Sequence, residues 1–306
     1  MFGYALAGVA VLVLASGVWL YTPDRPRAEL EKVYAAAPSQ FMDVLGDRLH
    51  VRDTGPRNAP AVILLHGFGS SLHTWDEWAA VLETKFRVIR YDQPGFGLTG
   101  PDARRDYTDQ RSMDVLAGLM DRLGIERAAI VGHSMGGRIA WHFAAEHPER
   151  VAKLVLIAPD GFASPGFEYG RAPDVPLVMR ALPYVLPGFM FRPSIEPGFG
   201  DPAALTDAMY ARYRDMMLAP GVRRAILDRM RQNVLVEPTA LLKRITAPTL
   251  LMWGEKDGMV PISNAADYQR VVADVQLERF PGLGHLLMEE KPMLTVQPLM
   301  AFLAKP

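Results

Sequence analysis

From residue 41 onward the sequence alternates short, nearly unbroken apolar runs with stretches whose apolar residues recur at three- and four-residue spacing. Runs such as Ala61-Val62-Ile63-Leu64-Leu65 are apolar throughout, the mark of strands covered on both faces. Strands of that kind, separated by amphipathic helices, bury their surfaces as an α/β fold: a mostly parallel sheet with crossover helices on both faces. The pattern predicts strands over 61–65, 86–91, 128–131, 154–157, 249–253 and 276–280, with helices over 75–83, 110–123, 135–146 and 263–273. Ahead of them, segments 41–44 and 49–53 flank Gly46-Asp47 and read as an opening hairpin.

Two stretches break this rhythm. Residues 2–21 carry no charge, and a helix of that length spans roughly 30 Å, the thickness of a bilayer core. Tyr4, Trp19 and Tyr21 lie toward its ends, where amphipathic rings favour the interface, and no basic residue precedes it as in a secretory signal. The expectation is a single-pass membrane anchor over 1–21 and a membrane location, followed by a polar tether over 22–39. Arg25, Arg27 and Lys32 are interleaved with Asp24, Glu29 and Glu31, which leaves the side of the membrane open.

The second break runs from 161 to 237. Seven of the 25 prolines fall in its first forty residues, and six of the 16 methionines lie within it. A structureless loop of that length is uncommon, so the stretch reads as a helical cap with helices over 201–217 and 222–232. Its flexible, polarizable methionines suit an adaptable apolar binding face. The division expected is a core of 40–160 and 238–306 with a cap of 161–237; oligomeric state is not read from these features.

The chemistry is carried by Gly132-His133-Ser134-Met135-Gly136, placed between a predicted strand and a predicted helix. A serine displayed on so sharp a turn needs small residues two positions to either side, where side chains would meet the strand and helix. The chain has no cysteine, which excludes a thiol nucleophile, thiolate metal sites and disulfides. Ser134 is therefore the candidate nucleophile, and it needs a base. Of seven histidines, His133 is adjacent and points away. His142 and His147 lie on the following helix, His50 and His73 near the early strand and helix, and His66 ends a strand as a loop-shaping residue. His285 follows the last predicted strand in the glycine-rich stretch Gly282-Leu283-Gly284-His285, at the carboxyl edge of the sheet, where such folds place their sites. An acid must orient it. Asp257 and Asp160 both follow strands; Asp257 is favoured, and it keeps the order Ser, Asp, His along the chain.

His66-Gly67-Phe68-Gly69, Asp92-Gln93-Pro94-Gly95-Phe96-Gly97, the Ser134 motif, Gly254-Glu255-Lys256-Asp257 and Gly284-His285 together resemble the α/β-hydrolase fold superfamily over about 41–303. The resemblance implies an oxyanion hole formed by the backbone N–H groups of Phe68 and Met135, and a cap inserted after the sixth strand. Met135 also opens a helix, whose free N–H groups favour a developing negative charge.

Departures from subfamilies narrow the expectation. Epoxide hydrolases and haloalkane dehalogenases of this fold use an aspartate nucleophile where Ser134 stands. Carbon–carbon bond hydrolases acting on ring-cleavage products use serine but typically carry tryptophan after the histidine, where this chain has Leu286. The expectation is a serine esterase or lipase-like enzyme acting through an acyl-enzyme on a small hydrophobic ester, with a carbon–carbon hydrolase or a non-catalytic binding module as alternatives. No cofactor is implied, because there is no His-Glu-x-x-His, dinucleotide fingerprint or phosphate loop. Lys and Arg total 33 against 34 Asp and Glu, so nothing in the balance calls for nucleic acid.

Overall fold

Eight strands form one sheet in the computed structural model, which describes residues 19–162 and 168–305. They are β1 (Ser39–Val44), β2 (Asp47–Thr54), β3 (Ala61–Leu65), β4 (Arg87–Tyr91), β5 (Ala128–His133), β6 (Val151–Ile157), β7 (Thr249–Gly254) and β8 (Val275–Phe280). Their order is β1-β2-β4-β3-β5-β6-β7-β8. β1 pairs antiparallel with β2, and β2 with β4; all later pairings are parallel. Val44 sits opposite Asp47, so the hairpin turns at Leu45-Gly46, one residue before the position expected. β5 and β7 are buried along their whole length, which is why their sequences are apolar without alternation.

Among the described residues, the helices of seven residues or more are α1 (Arg27–Tyr34), α2 (Asp76–Leu82), α3 (Asp109–Arg122), α4 (Met135–Glu146), α5 (Gly188–Ile195), α6 (Asp207–Met217), α7 (Val222–Gln232), α8 (Ala265–Val271) and α9 (Pro292–Ala304), with single turns at Thr239–Leu242 and Leu287–Glu290. α4 runs against β5 and β6 with α3 beside it, and α2 packs on α9. The indole Nε1 of Trp78 on α2 donates to Thr295 Oγ1 on α9 at 3.2 Å, so a large buried ring joins these helices without stranding its polar atom.

α5, α6 and α7 lie in the insertion between β6 and β7. α7 has the bounds the sequence predicts. The helix expected over 201–217 starts only at Asp207, because Thr206 caps it: its Oγ1 accepts the Met209 N–H at 3.2 Å, while Pro202 opens a separate turn. α5 escapes the sequence pattern because Pro193 lies inside it.

The amino-terminal expectations are corrected. Residues 2–18 of the expected anchor lie outside the described residues, and among the described residues no helix is long and apolar enough to cross a membrane. The described end of that stretch is engaged with the protein body: Tyr21 forms an antiparallel bridge with Val185, and the Thr22 N–H donates to Tyr184 O at 2.8 Å. Neither a membrane anchor nor a membrane location follows from these contacts. The expected tether over 22–39 is also packed. Leu30 of α1 is fully buried, Asp24 pairs with Arg223 of α7 at 2.7 Å, and Arg25 pairs with Asp215 of α6 at 2.7 Å. Two of the interleaved charges, Asp24 and Arg25, thus have partners 190 residues or more away in the chain.

Because β3 to β8 run parallel, the segments that follow them gather at one edge of the sheet. His66 follows β3, Asp92 follows β4, Ser134 β5, Asp160 β6, Asp257 β7 and His285 β8.

Candidate active site

Ser134 occupies the turn from β5 into α4 with φ at 53° and ψ at −120°, a left-handed φ that costs a residue with a side chain roughly 1–3 kcal/mol. The turn is held from both sides: Ser134 N–H donates to Ile157 O at 2.9 Å, and Ser134 O accepts from Arg138 N at 3.0 Å and Asp160 N at 3.1 Å. The flanking glycines are required by close approach. A Cβ on Gly132 would lie 2.3 Å from Gly136 O, and one on Gly136 would lie 2.4 Å from Leu65 O.

His285 Nδ1 lies 2.7 Å from Asp257 Oδ2. The other oxygen, Oδ1, accepts the N–H groups of Met259 and Val260, each at 2.8 Å. A carboxylate offers only acceptors, so the proton between the two residues sits on Nδ1 and leaves Nε2 able to take one. The three bonds also fix the carboxylate plane. The structure thus brings Asp257, and not Asp160, to His285. Asp160 is anchored by its backbone, accepting Trp141 Nε1 at 2.8 Å and Tyr268 Oη at 3.0 Å. Burial pushes its carboxyl up, with the charges of Arg138 and His285 opposing.

Met135 follows Ser134 directly as the first residue of α4, and Phe68 lies in the loop after β3. A Cβ on Gly67 would stand 3.2 Å from Ser134 Cβ, which sets the Phe68 loop directly beside the serine. Among the described residues, neither the Phe68 N–H nor the Met135 N–H is spent on another backbone acceptor. The Phe68 ring is half exposed and meets Phe96 edge-on at 5.5 Å. His66 shapes this loop. Its Nδ1 donates to Gly67 O at 2.8 Å, its Nε2 accepts the Gln93 N–H at 3.0 Å, and burial lowers its pKa, which keeps that neutral tautomer. Asp92 is buried farther back and accepts from His50 Nδ1, Leu72 N and Leu98 N at 2.7–2.8 Å. Burial would raise its pKa, but the nearby His50 and His73 outweigh it and hold the carboxyl well below the usual range.

Sequence reasoning missed two residues of this neighbourhood. The His133 Nε2 donates to the backbone O of His285 at 3.0 Å, and its ring packs 4.4 Å from the His285 ring. Burial drives its pKa far down, so it serves as a neutral donor. Glu290 accepts the Gly284 N–H at 2.8 Å, next to His285 in the chain. No pattern in the sequence separates either from an ordinary loop histidine or surface glutamate. Among the described residues, no cluster of His, Cys, Asp or Glu is arranged to hold a metal ion.

A family model described as the α/β hydrolase fold matches residues 60–292. The chain belongs to the α/β hydrolase fold family. Among hydrolases of that family, a 2-hydroxy-6-oxononadienedioate/2-hydroxy-6-oxononatrienedioate hydrolase of Cupriavidus pinatubonensis is 32% identical over 280 residues, 85% of this chain and 93% of the relative. A meta-cleavage product hydrolase of Pseudomonas fluorescens IP01 has a similar solved structure, with a TM-score of 0.73, 26% identity, and coverage of 86% of this chain and 97% of that one. Another solved structure, described as a membrane phospholipase A and bacterial virulence factor, matches with a TM-score of 0.74 and 26% identity over 99% of this chain and 98% of that one.

The sequence relatives correct the expectation of a carboxylic ester hydrolase: those 30–32% identical over about four-fifths of the chain are named as hydrolases of 2-hydroxy-6-oxo dienoates and dienedioates, and the Pseudomonas fluorescens structure is named a meta-cleavage product hydrolase. The ester expectation leaned on Leu286 replacing tryptophan. Leu286 is buried, and its Cδ1 would be 3.0 Å from a Cβ on Gly198 of the insertion. The position fills a packing site against the insertion.

Proposed function

We propose that this α/β hydrolase cleaves a carbon–carbon bond in a vinylogous diketone of the kind produced by aromatic ring cleavage. The observation that carries the proposal is the naming of the sequence relatives just described, together with an Asp257–His285 pair and a serine elbow suited to acyl transfer. In this reading Ser134 Oγ attacks the ketone carbonyl while His285 Nε2 takes its proton, and Asp257 steadies the imidazolium. The N–H groups of Phe68 and Met135 receive the oxyanion. Collapse of the tetrahedral adduct breaks the carbon–carbon bond. The released electron pair is delocalised into the conjugated carbonyl system, and the carbon fragment gains the proton held by His285. Water, deprotonated by His285, then hydrolyses the acyl ester on Ser134. The core is proposed as 40–160 with 238–306, and the insertion 161–237 as a cap whose apolar side chains, Tyr213, Met216 and Met217 among them, shelter the hydrophobic part of the substrate.

The test is a comparison of kcat/KM for 2-hydroxy-6-oxo-6-phenylhexa-2,4-dienoate and for a medium-chain p-nitrophenyl ester. The proposal expects the diketone to be preferred. Turnover of the ester alone would overturn it.

A further inference from the structure

His285 is held by more than its bond to Asp257. The backbone on either side of it is tied to the insertion between β6 and β7. On one side, Gly284 N–H donates to Glu290 Oε2 at 2.8 Å, and the same carboxylate accepts Gly200 N–H at 3.1 Å and Asp201 N–H at 3.0 Å. On the other side, Leu286 N–H donates to Gly198 O at 2.9 Å. The His285 carbonyl itself accepts from His133, next to the nucleophile. The base is therefore fixed at three adjacent residues, two of them through the insertion.

Glu290 is buried. Among the described residues no cation lies within ion-pair distance of it, and its partners are backbone amides. Withdrawing a carboxylate from water without a counter-charge is strongly unfavourable unless hydrogen bonds replace the water. An apolar side chain would fill the same space without that penalty. What a carboxylate adds is several acceptor sites on two oxygens, enough to join N–H groups from two separate segments. The neighbouring Glu289 is also buried and also reaches the insertion: its Oε2 accepts Tyr213 Oη at 2.6 Å and its other oxygen pairs with Arg212. Both partners of its carboxylate lie on α6, and that carboxylate makes no bond to the His285 loop.

We propose that Glu290 is a positioning residue for His285, clasping the Gly284-His285 loop to the Gly200-Asp201 segment so that the placement of the base depends on the placement of the insertion. Substrate contacts made by the insertion then reach the base through backbone hydrogen bonds. The proposal rests on Ser134 and His285 as the reacting pair and is independent of which bond the enzyme cleaves.

The experiment compares Glu290→Gln with Glu289→Gln in the full chain, reading the rate of Ser134 labelling by a fluorophosphonate, kcat, KM and thermal midpoint. Glutamine keeps the shape of Glu290 but turns an NH2 group toward donor amides. Displacing a base by about 1 Å costs on the order of 100-fold, so Glu290→Gln should lower kcat and the labelling rate together by about 10- to 100-fold with KM little changed. Glu289→Gln should lose thermal stability while labelling at close to the wild-type rate. Equal labelling rates for the two variants, or a loss that follows the thermal midpoint alone, would overturn the proposal. If Glu290→Gln fails to fold, Glu290→Asp, which keeps the charge and shortens the reach, gives the same reading: slowed labelling supports the clasp, and wild-type labelling refutes it. Ser134→Ala, run alongside, must abolish labelling; labelling that persists there would instead refute the reacting pair.

Discussion

The His285 Nδ1 atom lies 2.7 Å from Asp257 Oδ2, while the other Asp257 oxygen is occupied by two backbone amides of the segment that follows it. The carboxylate cannot rotate without losing all three bonds, so the tautomer and tilt of the imidazole are set before substrate arrives.

Asp257→Asn should therefore lower kcat by about 10³- to 10⁴-fold, by presenting an NH2 group to Nδ1 or losing the amide contacts. Asp160→Asn should leave kcat near wild type, because the Asp160 carboxyl makes no hydrogen bond to His285. Steady-state kinetics on the two variants settles the choice; the opposite ranking would move the acid to β6.

The left-handed φ of Ser134 is imposed on a residue that has a Cβ. Replacing Ser134 with glycine should remove roughly 1 kcal/mol of strain, while abolishing activity. Urea unfolding should give a midpoint for Ser134→Gly no lower than that of Ser134→Ala. A clearly lower midpoint would mean that the serine side chain stabilises the turn.

His73 is buried, and burial pushes its pKa down from 6.5 to about 4, with Asp92 and Asp76 pulling the other way. Below pH 6.5 the unfolded chain binds a proton at this residue that the folded chain refuses. The contribution is fully present above the unfolded value and is lost as pH falls toward the folded one, about 3 kcal/mol in all. Unfolding free energy measured between about pH 7 and pH 4 should fall more steeply in wild type than in His73→Gln. Parallel curves would contradict this.

Arg223 is buried on α7 and donates to Asp24 Oδ1 at 2.7 Å and to Thr22 O at 2.7 Å, joining the amino-terminal segment to the insertion. Arg223→Ala removes these bonds and the packing of the stem, and should cost about 2 kcal/mol. Limited proteolysis should then cut first between residues 19 and 30. An unchanged cleavage pattern would show that the segment is held by other contacts.

Much of the core was legible because its signals are local. β3 could be read from five consecutive apolar residues, and the elbow from glycines that the β5–α4 turn cannot replace. What was not legible depends on distant partners. The stretch 22–39 reads as a polar tether, yet Leu30 of α1 is buried, and Asp24 and Arg25 just ahead of that helix pair with α7 and α6. Glu290 reads as a surface residue until the amides of Gly200 and Gly284 converge on it. Leu286, on which the ester expectation rests, packs against Gly198 of the insertion, a contact its place in the sequence does not reveal.

The central claim is carbon–carbon hydrolysis by Ser134, and the most direct measurement is product analysis with 2-hydroxy-6-oxo-6-phenylhexa-2,4-dienoate. The wild-type protein should convert it to benzoate and 2-hydroxypenta-2,4-dienoate in equal amounts, and Ser134→Ala should form neither. Intact diketone after prolonged incubation with unlabelled wild-type protein, a separate sample of which takes up a fluorophosphonate at Ser134, or cleavage that persists in Ser134→Ala, would contradict the account.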